Sequence, residues 1–357
     1  MAKPSHEIAA TNEINETETK EKDTYGFEGA KHELIERYQP QFLAKGGEHI
    51  VYEIPRYPNV VIKADMAMTR QIINWNVRHD LPIDTLSEVL NRGVQEYLSA
   101  EQKRYAQLKK YFGHEHVPAQ RKFVVKVPIT EKILTALYEG DPPPVQGHEV
   151  QAIVTMQKRA EEVKDPQRLT LVTGYAEEDP ALNPEQYQKM TEHLVFGKNP
   201  EQKIEKDALL GLQNNKHLKK LLQTAEKDQN LAETLKEIIT KCIAYSEATG
   251  ETLDLAGKDN LVLAPEQGKW NYKLIDALYP GQATTAEKTK IALLNIGLGQ
   301  TISGTEQNIL LNTFNYIRAV NGLAEHFGLE KRINIVPEAM EKDSAGNTDW
   351  LSVVGRP

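Results

Sequence analysis

Short apolar runs separated by turn residues dominate the first part of the chain. The runs at residues 60–64, 122–128 and 151–156 are rich in β-branched residues, which favour strands. They predict three strands of a small sheet. A further pair of apolar runs, at residues 262–263 and 270–275, is joined by a turn that contains proline, glutamine and glycine. This pair predicts a β-hairpin.

Helical periodicity replaces strand patterns in three other stretches. Residues 86–112 carry apolar side chains on one helical face, and residues 85–88 have the pattern of a capping-box start. Residues 231–243 predict a second amphipathic helix, which Gly250 closes. Residues 303–306 can cap a third long helix, whose apolar side chains again fall on one face.

Length and charge narrow the possible functions. A chain of 357 residues is long enough for two lobes with substantial cores. The net charge of −8 argues against a general nucleic-acid binder. The single Cys242 lies in a helical pattern, so we expect a small core residue. Since no apolar run reaches membrane-spanning length and the first residues lack a secretory apolar core, we expect a cytoplasmic protein with no membrane partner.

The most informative stretch is residues 252–263, together with residues 273–276. It places Asp254 on a loop, Asn260 before the first strand of the hairpin, and Asp276 directly after the second strand. Phosphoryl transfer to a hydroxyl needs these parts, because one carboxylate orients the hydroxyl while an amide and a second carboxylate hold magnesium. A surface hairpin that carries a few acids is the alternative.

Residues upstream complete such a site. Gly46 and Gly47 predict a turn between two apolar runs, where backbone amides can approach phosphate oxygens. Lys63 lies on the next predicted strand and can reach the α- and β-phosphates. Taken alone, the glycines fit a simple hairpin turn and Lys63 fits a solvated strand lysine. Their order before Asp254 and Asp276 favours the nucleotide site.

In this order the motifs resemble those of the protein-kinase-like superfamily, and its small-molecule and atypical kinases more than typical protein kinases. The chain departs from the family pattern, because one residue more than usual separates Asp254 from Asn260 and puts Asp259 in the usual asparagine place. The residues before Asp254 are not His-Arg, and those after Asp276 are not Phe-Gly. We expect Gly257 to absorb the additional residue in a bulge, with Asn260 at the metal and Asp259 turned away.

The resemblance implies an α+β fold of two lobes, with a small antiparallel-sheet N-lobe that carries one long helix and a mainly helical C-lobe. Residues 1–24 are expected to form a disordered polar tail, because they are mainly polar and charged. Residues 25–160 would be the N-lobe and residues 161–357 the C-lobe. Residues 161–230 would be a helical insertion, which either covers the substrate or is purely structural.

The resemblance also implies ATP and Mg²⁺ as cofactors. Adenine is assigned to the hinge between the lobes, at Met156, Gln157 and Lys158. The two glycines and Lys63 would hold the phosphates, and a glutamate of the long helix would pair with Lys63. That glutamate is Glu101, with Glu96 as the second choice; the alternative is that both acids face solvent.

The remaining assignments concern the metal and the acceptor. Asn260 and Asp276 would hold magnesium, and Asp254 would align the hydroxyl of an unidentified substrate. Three other functions stay open as alternatives. The chain could be a pseudokinase that binds ATP without transfer, a kinase-fold enzyme that transfers AMP, or a helical interaction module without a nucleotide site.

Overall fold

The computed structural model describes residues 27, 29–31, 41–45, 49–138, 140–159, 167–169, 216–255, 260–266, 268–279, 283–298, 300 and 303–335. These residues form a mixed α+β structure, with a five-stranded antiparallel sheet, a three-stranded sheet and several helices. Within this described part of the chain, no helix is both long and apolar enough to cross a membrane.

The five-stranded sheet is built from the first half of the chain. Its strands are β1 (Gln41–Lys45), β2 (His49–Glu53), β3 (Val60–Asp65), β4 (Gln120–Pro128) and β5 (Glu149–Lys158). Their order across the sheet is β1-β2-β3-β5-β4, so β5 lies between β3 and β4. The three strands predicted from β-branched runs are therefore confirmed, and all neighbours pair antiparallel.

Three helices accompany this sheet: α1 (Met66–Arg78), α2 (Glu88–Phe112) and α3 (Glu131–Leu137). Helix α1 follows β3 without a loop, because the Asp65 side chain ends the strand and accepts a hydrogen bond from Met68 N at 2.8 Å as the N-cap. The apolar side chains of Ile62, Ile72 and Val154 are buried together in one core cluster.

Helix α2 begins two residues later than the sequence pattern predicts. Ser87 is its N-cap, with extended backbone angles and a side-chain oxygen that accepts a hydrogen bond from Leu90 N. Thr85 belongs to the preceding turn, where its N–H donates to Pro82 O. The expected capping box at residues 85–88 is therefore wrong, because two residues that can each cap a helix stand close together and the second one is used.

The second half of the chain contributes a smaller sheet and the remaining helices. The elements are β6 (Gln167–Arg168), α4 (Lys216–Ala225), α5 (Gln229–Thr249), β7 (Leu261–Glu266), β8 (Lys269–Leu274), α6 (Thr285–Gly297) and α7 (Gly304–His326). Strands β7 and β8 form the predicted hairpin, and β6 pairs with β7. Cys242 of α5 is fully buried in the core of this half, as expected.

Both predicted helix ends in this half are confirmed. Gly250 ends α5 in the left-handed conformation, with φ of 69° and its N–H donating to Ser246 O. This angle favours glycine, because a Cβ would clash with the backbone. Ser303 and Glu306 form a complete capping box at the start of α7. Residues 1–24 and most of the predicted insertion lie outside the described residues, and the division into lobes at residue 160 stays a prediction.

Candidate functional site

A pocket opens between the polar face of the five-stranded sheet, helix α2 and the segment that follows β8. Its lining includes the polar side chains of His49, Lys63, Glu101, Lys122, Gln157 and Asp276. The atom-free space between its walls, including the open mouth, is about 540 Å³. The pocket therefore brings together residues from both halves of the chain.

Strand register puts two lysines in one row of this pocket. Lys63 of β3 and Lys122 of β4 are both cross-strand partners of Thr155 in β5. Because side chains alternate between the faces of a strand, all three point to the same face, and so do the paired Gln120 and Gln157. The sheet thus carries a polar face that is largely buried inside the protein.

The predicted phosphate lysine and the predicted metal carboxylate meet in this pocket. Lys63 Nζ lies 3.3 Å from Asp276 Oδ2, and the two side chains are 10% and 43% exposed. The carboxylate is therefore open to a ligand at the mouth, while the lysine is shielded. Asp276 lies two residues after the end of β8, and the intervening Ile275 is held from two sides. Ile275 N donates to Asn260 O at 2.9 Å, and Ile275 O accepts from Gln157 Nε2 at 2.7 Å.

His49 is a member of the site that the sequence did not suggest. Its Nδ1 lies 3.7 Å from Asp276 Oδ2. Burial lowers the pKa of His49 below its ordinary value of 6.5, and the charge of Lys63 acts in the same direction, while the charge of Asp276 opposes both. The imidazole is therefore neutral near pH 7. Alternation along β2 is the signal that could have found it, because His49 and Val51 share one face of the strand.

Glu101 lies in the pocket, but it contacts Lys122 and Arg104, whereas the predicted partner is Lys63. Its Oε2 lies 3.3 Å from Lys122 Nζ, and its Oε1 accepts a hydrogen bond of 2.8 Å from Arg104. The structure thus pairs Glu101 with Lys122, where the sequence predicts Lys63. In the sheet, Lys63 on β3 and Lys122 on β4 lie on opposite sides of Thr155. The Glu101 carboxylate contacts the lysine on β4. Glu96, the second choice, is exposed.

Arg104 extends this ion pair into a buried network. Its guanidinium also contacts Glu251, with Nε 2.7 Å from one carboxylate oxygen and an N–H donating at 3.1 Å to the other. Glu251 in turn accepts hydrogen bonds from the backbone and side chain of Thr285. Glu251 lies three residues before Asp254. The network therefore connects helix α2 and the sheet to the start of the acid loop.

A hydrogen bond from the Asn260 side chain to the backbone joins Asn260 to Asp254. Asn260 Nδ2 donates to Asp254 O at 2.8 Å, and Asp254 N donates to Ala277 O at 2.9 Å. An amide oxygen cannot donate, so the nitrogen of Asn260 must face Asp254 and the oxygen Oδ1 must face away. Since Asn260 O also accepts from Ile275 N, Asn260 lies beside the residue that precedes Asp276.

The predicted hinge residues belong to strand β5. Met156 pairs with Ile62 on one side and Arg121 on the other, and Gln157 is paired on both sides in the same way. Lys158 N donates to Ala119 O at 2.8 Å. The strand therefore continues through Lys158, and the connection to the rest of the chain starts later than the sequence indicates. Adenine contact at Met156, Gln157 and Lys158 stays a prediction.

Several predicted features lie outside the described residues. They are Gly46 and Gly47 of the glycine turn, and Gly257 and Asp259 of the acid loop. The roles assigned to these residues stay predictions.

The oxygen donors of the site fit magnesium that is held together with a phosphate. Asn260 and Asp276 offer an amide and a carboxylate, and Mg²⁺ is usually bound through one or two carboxylates plus phosphate oxygens and water. Among the described residues, no group of three or more His, Cys, Asp and Glu side chains could hold a metal ion.

Comparison with known proteins does not assign the chain to a family. No family model matches it, and no curated protein is significantly similar to it.

Proposed function

We propose that the protein is an ATP-dependent phosphotransferase with a two-lobed protein-kinase-like fold. It transfers the γ-phosphoryl group to a hydroxyl of a small-molecule or atypical substrate. The observation that carries this proposal is the contact between Lys63 of β3 and Asp276 after β8. A buried lysine and a half-exposed carboxylate at one pocket mouth are the pair of charges that a nucleotide–magnesium complex requires.

The order of elements supports the proposed fold. Helix α2 lies between β3 and β4 along the chain and brings Glu101 into the pocket beside two sheet lysines. The hairpin of β7 and β8 then delivers Asp276 to the opposite wall. These positions are the ones that the resemblance assigns to a phosphate lysine, a helix glutamate and a metal carboxylate.

Each polar residue has a distinct role in the proposed reaction. Lys63 binds phosphate oxygens, and Asn260 Oδ1 and the Asp276 carboxylate hold magnesium. Magnesium held there would supply positive charge that offsets the charge of the phosphate groups. Asp254 orients the acceptor hydroxyl and accepts its proton. Catalysis then depends mainly on positioning and on charges fixed in advance.

The ion pair prepares the site for its ligand. Lys63 is mostly buried, and a buried ammonium without a partner would be unfavourable, so the Asp276 carboxylate offsets its charge at the pocket mouth. When phosphate binds Lys63 and magnesium binds Asp276, both charges exchange one partner for another. Neither charge is left uncompensated.

A nucleotide-binding protein without transfer activity is the second candidate. Thr252 and Leu253 precede Asp254 where active relatives carry a basic residue, and both are fully buried. The missing lead-in residues favour a pseudokinase. The presence of both Asp254 and Asn260, which are linked by a hydrogen bond, favours an enzyme.

Two linked measurements test the proposal. The first is the thermal unfolding midpoint with ATP, with AMP and without nucleotide, each with Mg²⁺ and with a chelator. We expect stabilisation by ATP with Mg²⁺, because a ligand that binds only the folded state at 100 times its Kd adds roughly 2.7 kcal/mol. The second follows the α- and γ-phosphates of labelled ATP over a panel of hydroxyl-bearing metabolites.

The outcomes separate the candidates. Transfer of the γ-phosphate supports the kinase, and transfer of AMP supports the alternative chemistry. Stabilisation without any transfer supports the pseudokinase. Absence of ATP stabilisation at millimolar concentration would overturn the nucleotide site altogether.

A further inference from the structure

The side chain of Gln157 has an unused hydrogen-bond acceptor inside the pocket. Gln157 is only 2% exposed, and its Oε1 has no hydrogen-bond partner among the described residues. Buried polar atoms are nearly always paired, because a buried acceptor without a donor is unfavourable. Gln157 is one of the residues that line the pocket together with Lys63 and Asp276. It therefore marks a place where a ligand donor would be stabilised.

The orientation of this amide is fixed by its other end. Gln157 Nε2 donates to Ile275 O at 2.7 Å. A backbone carbonyl can only accept, so the amide cannot be rotated to exchange its nitrogen and oxygen without losing this bond. The group that Gln157 offers to a ligand is therefore an acceptor. A ligand atom placed against it must carry a hydrogen.

The position of Gln157 relative to Lys63 suits the two ends of a nucleotide. Thr155 is the cross-strand partner of Lys63, and Gln157 lies two residues further along β5 on the same face. Two residues of a strand span roughly 7 Å. The 6-position of a purine and the first phosphate of its nucleotide lie somewhat farther apart than this span, and the lengths of the two side chains supply the difference. A phosphate at Lys63 thus allows a base edge to reach Gln157.

We infer that Gln157 Oε1 accepts a hydrogen bond from the exocyclic 6-amino group of adenine and so selects ATP over 6-oxo nucleotides. This inference rests on the proposed function. An amino group supplies the donor that the buried oxygen lacks. A 6-oxo group, as in GTP or ITP, is itself an acceptor, so it leaves Gln157 unpaired and sets two partial negative charges against each other.

Three nucleotides and two variants isolate this contact. ATP, ITP and purine riboside triphosphate carry the same triphosphate, and only ATP has the 6-amino group. The variant Gln157→Met keeps the length of the side chain and removes the amide. The matched control is Gln120→Met, because Gln120 is the cross-strand partner of Gln157, lines the same pocket and is only half-buried.

The measurement is the Kd of each nucleotide with Mg²⁺ by isothermal titration calorimetry. We expect the parent protein and Gln120→Met to bind ATP on the order of ten-fold more tightly than the other two nucleotides. In Gln157→Met the three affinities should become equal within about two-fold. The ratio of affinities is the readout, because loss of the bond to Ile275 O can shift Asp276 but affects all three triphosphates alike.

The parent protein alone can overturn the inference. Equal affinity of the parent for ATP and purine riboside triphosphate would show that no group reads the 6-amino position. Retention of the ATP preference in Gln157→Met would assign the selectivity to another group. In both cases magnesium-dependent nucleotide binding persists, and the proposed function survives. If no nucleotide binds, the proposed function and the inference fail together.

Discussion

Lys63 Nζ lies 3.3 Å from Asp276 Oδ2, and this ion pair joins the five-stranded sheet to the segment that follows the hairpin. The two residues are more than 200 positions apart in the chain. A second pair, Lys122 with Glu101, lies on the other side of Thr155 in the same pocket. The pocket therefore holds two lysines with different partners and different expected roles.

Lys63 and Lys122 provide a matched test of phosphate binding. We expect Lys63→Met to weaken ATP binding by roughly 10- to 100-fold, because a hydrogen bond to a charged group is lost. Lys122→Met should change the affinity by less than about three-fold, since Lys122 is paired with Glu101. Calorimetric titration of ATP with Mg²⁺ measures both. Equal weakening by the two substitutions would mean that both lysines bind phosphate.

Asp254 should act on the acceptor and leave ATP binding unchanged. Two of its hydrogen bonds use backbone atoms, which Asp254→Ala retains. We expect turnover to fall by roughly two to four powers of ten, the usual contribution of a positioned acid or base, with the Kd of ATP nearly unchanged. Turnover and ATP affinity are measured on the same preparation with the acceptor found in the metabolite panel. Full activity in Asp254→Ala would exclude the proposed role.

Arg104 should be a major source of stability. It contacts the carboxylates of Glu101 and Glu251, and all three side chains are at least 94% buried. We expect Arg104→Met to lower the free energy of unfolding by about 3–5 kcal/mol, because two buried carboxylates lose their cation. Chemical denaturation measures the change.

The control for Arg104 lies on the same helix. Arg92 is exposed, and its N–H group lies 3.9 Å from the exposed Glu88. Arg92→Met should therefore change the free energy of unfolding by no more than about 0.5 kcal/mol. A similar loss in both variants would mean that the helix, and not the buried network, responds to the substitution.

His49 should make stability depend on pH. Burial lowers its pKa in the folded state, and the facing charges of Asp276, Lys63, Asp65 and Lys122 modify that shift. Because the unfolded state binds the proton more readily, the contribution of His49 is present above its unfolded pKa of 6.5 and is lost as pH falls towards the lower folded pKa.

Chemical denaturation near pH 7.5 and pH 5.5 measures this contribution, at values chosen roughly one pH unit either side of the ordinary histidine pKa. The parent should lose more stability on acidification than His49→Gln does. His116, whose pKa burial also lowers, is present in both proteins and cancels in the difference. An identical loss in parent and variant would show that His49 does not titrate differently on folding.

Features that depend on local sequence could be predicted. Lys63 stands in a β-branched run and Asp276 directly follows a hairpin strand, so each could be placed from its neighbours alone. The burial of Glu101 followed from helical periodicity in α2. The helix ends at Gly250 and Ser303 followed from the chemistry of caps. These local signals were sufficient to indicate where the site lies.

Features that depend on register between strands could not be predicted. Glu101 contacts Lys122 because β4 pairs with β5, a relationship that no local pattern encodes. The sequence predicts Gln157 in a hinge, because the apolar run ends at Met156. In the structure, pairing with strands on both sides continues β5 to Lys158. The sequence does not indicate His49, because its contact with Asp276 joins two distant parts of the chain.

The magnesium dependence of ATP affinity tests the central claim most directly. Calorimetric titration of ATP is carried out with Mg²⁺ and with a chelator, for the parent and for Asp276→Ala, and circular dichroism confirms that both are folded. We expect the parent to bind ATP at least about ten-fold more tightly with Mg²⁺ than with the chelator, because removal of the metal removes a charge-assisted contact. Asp276→Ala should bind ATP equally in both conditions. The same magnesium dependence in both proteins would contradict the assignment of Asp276 as the metal ligand.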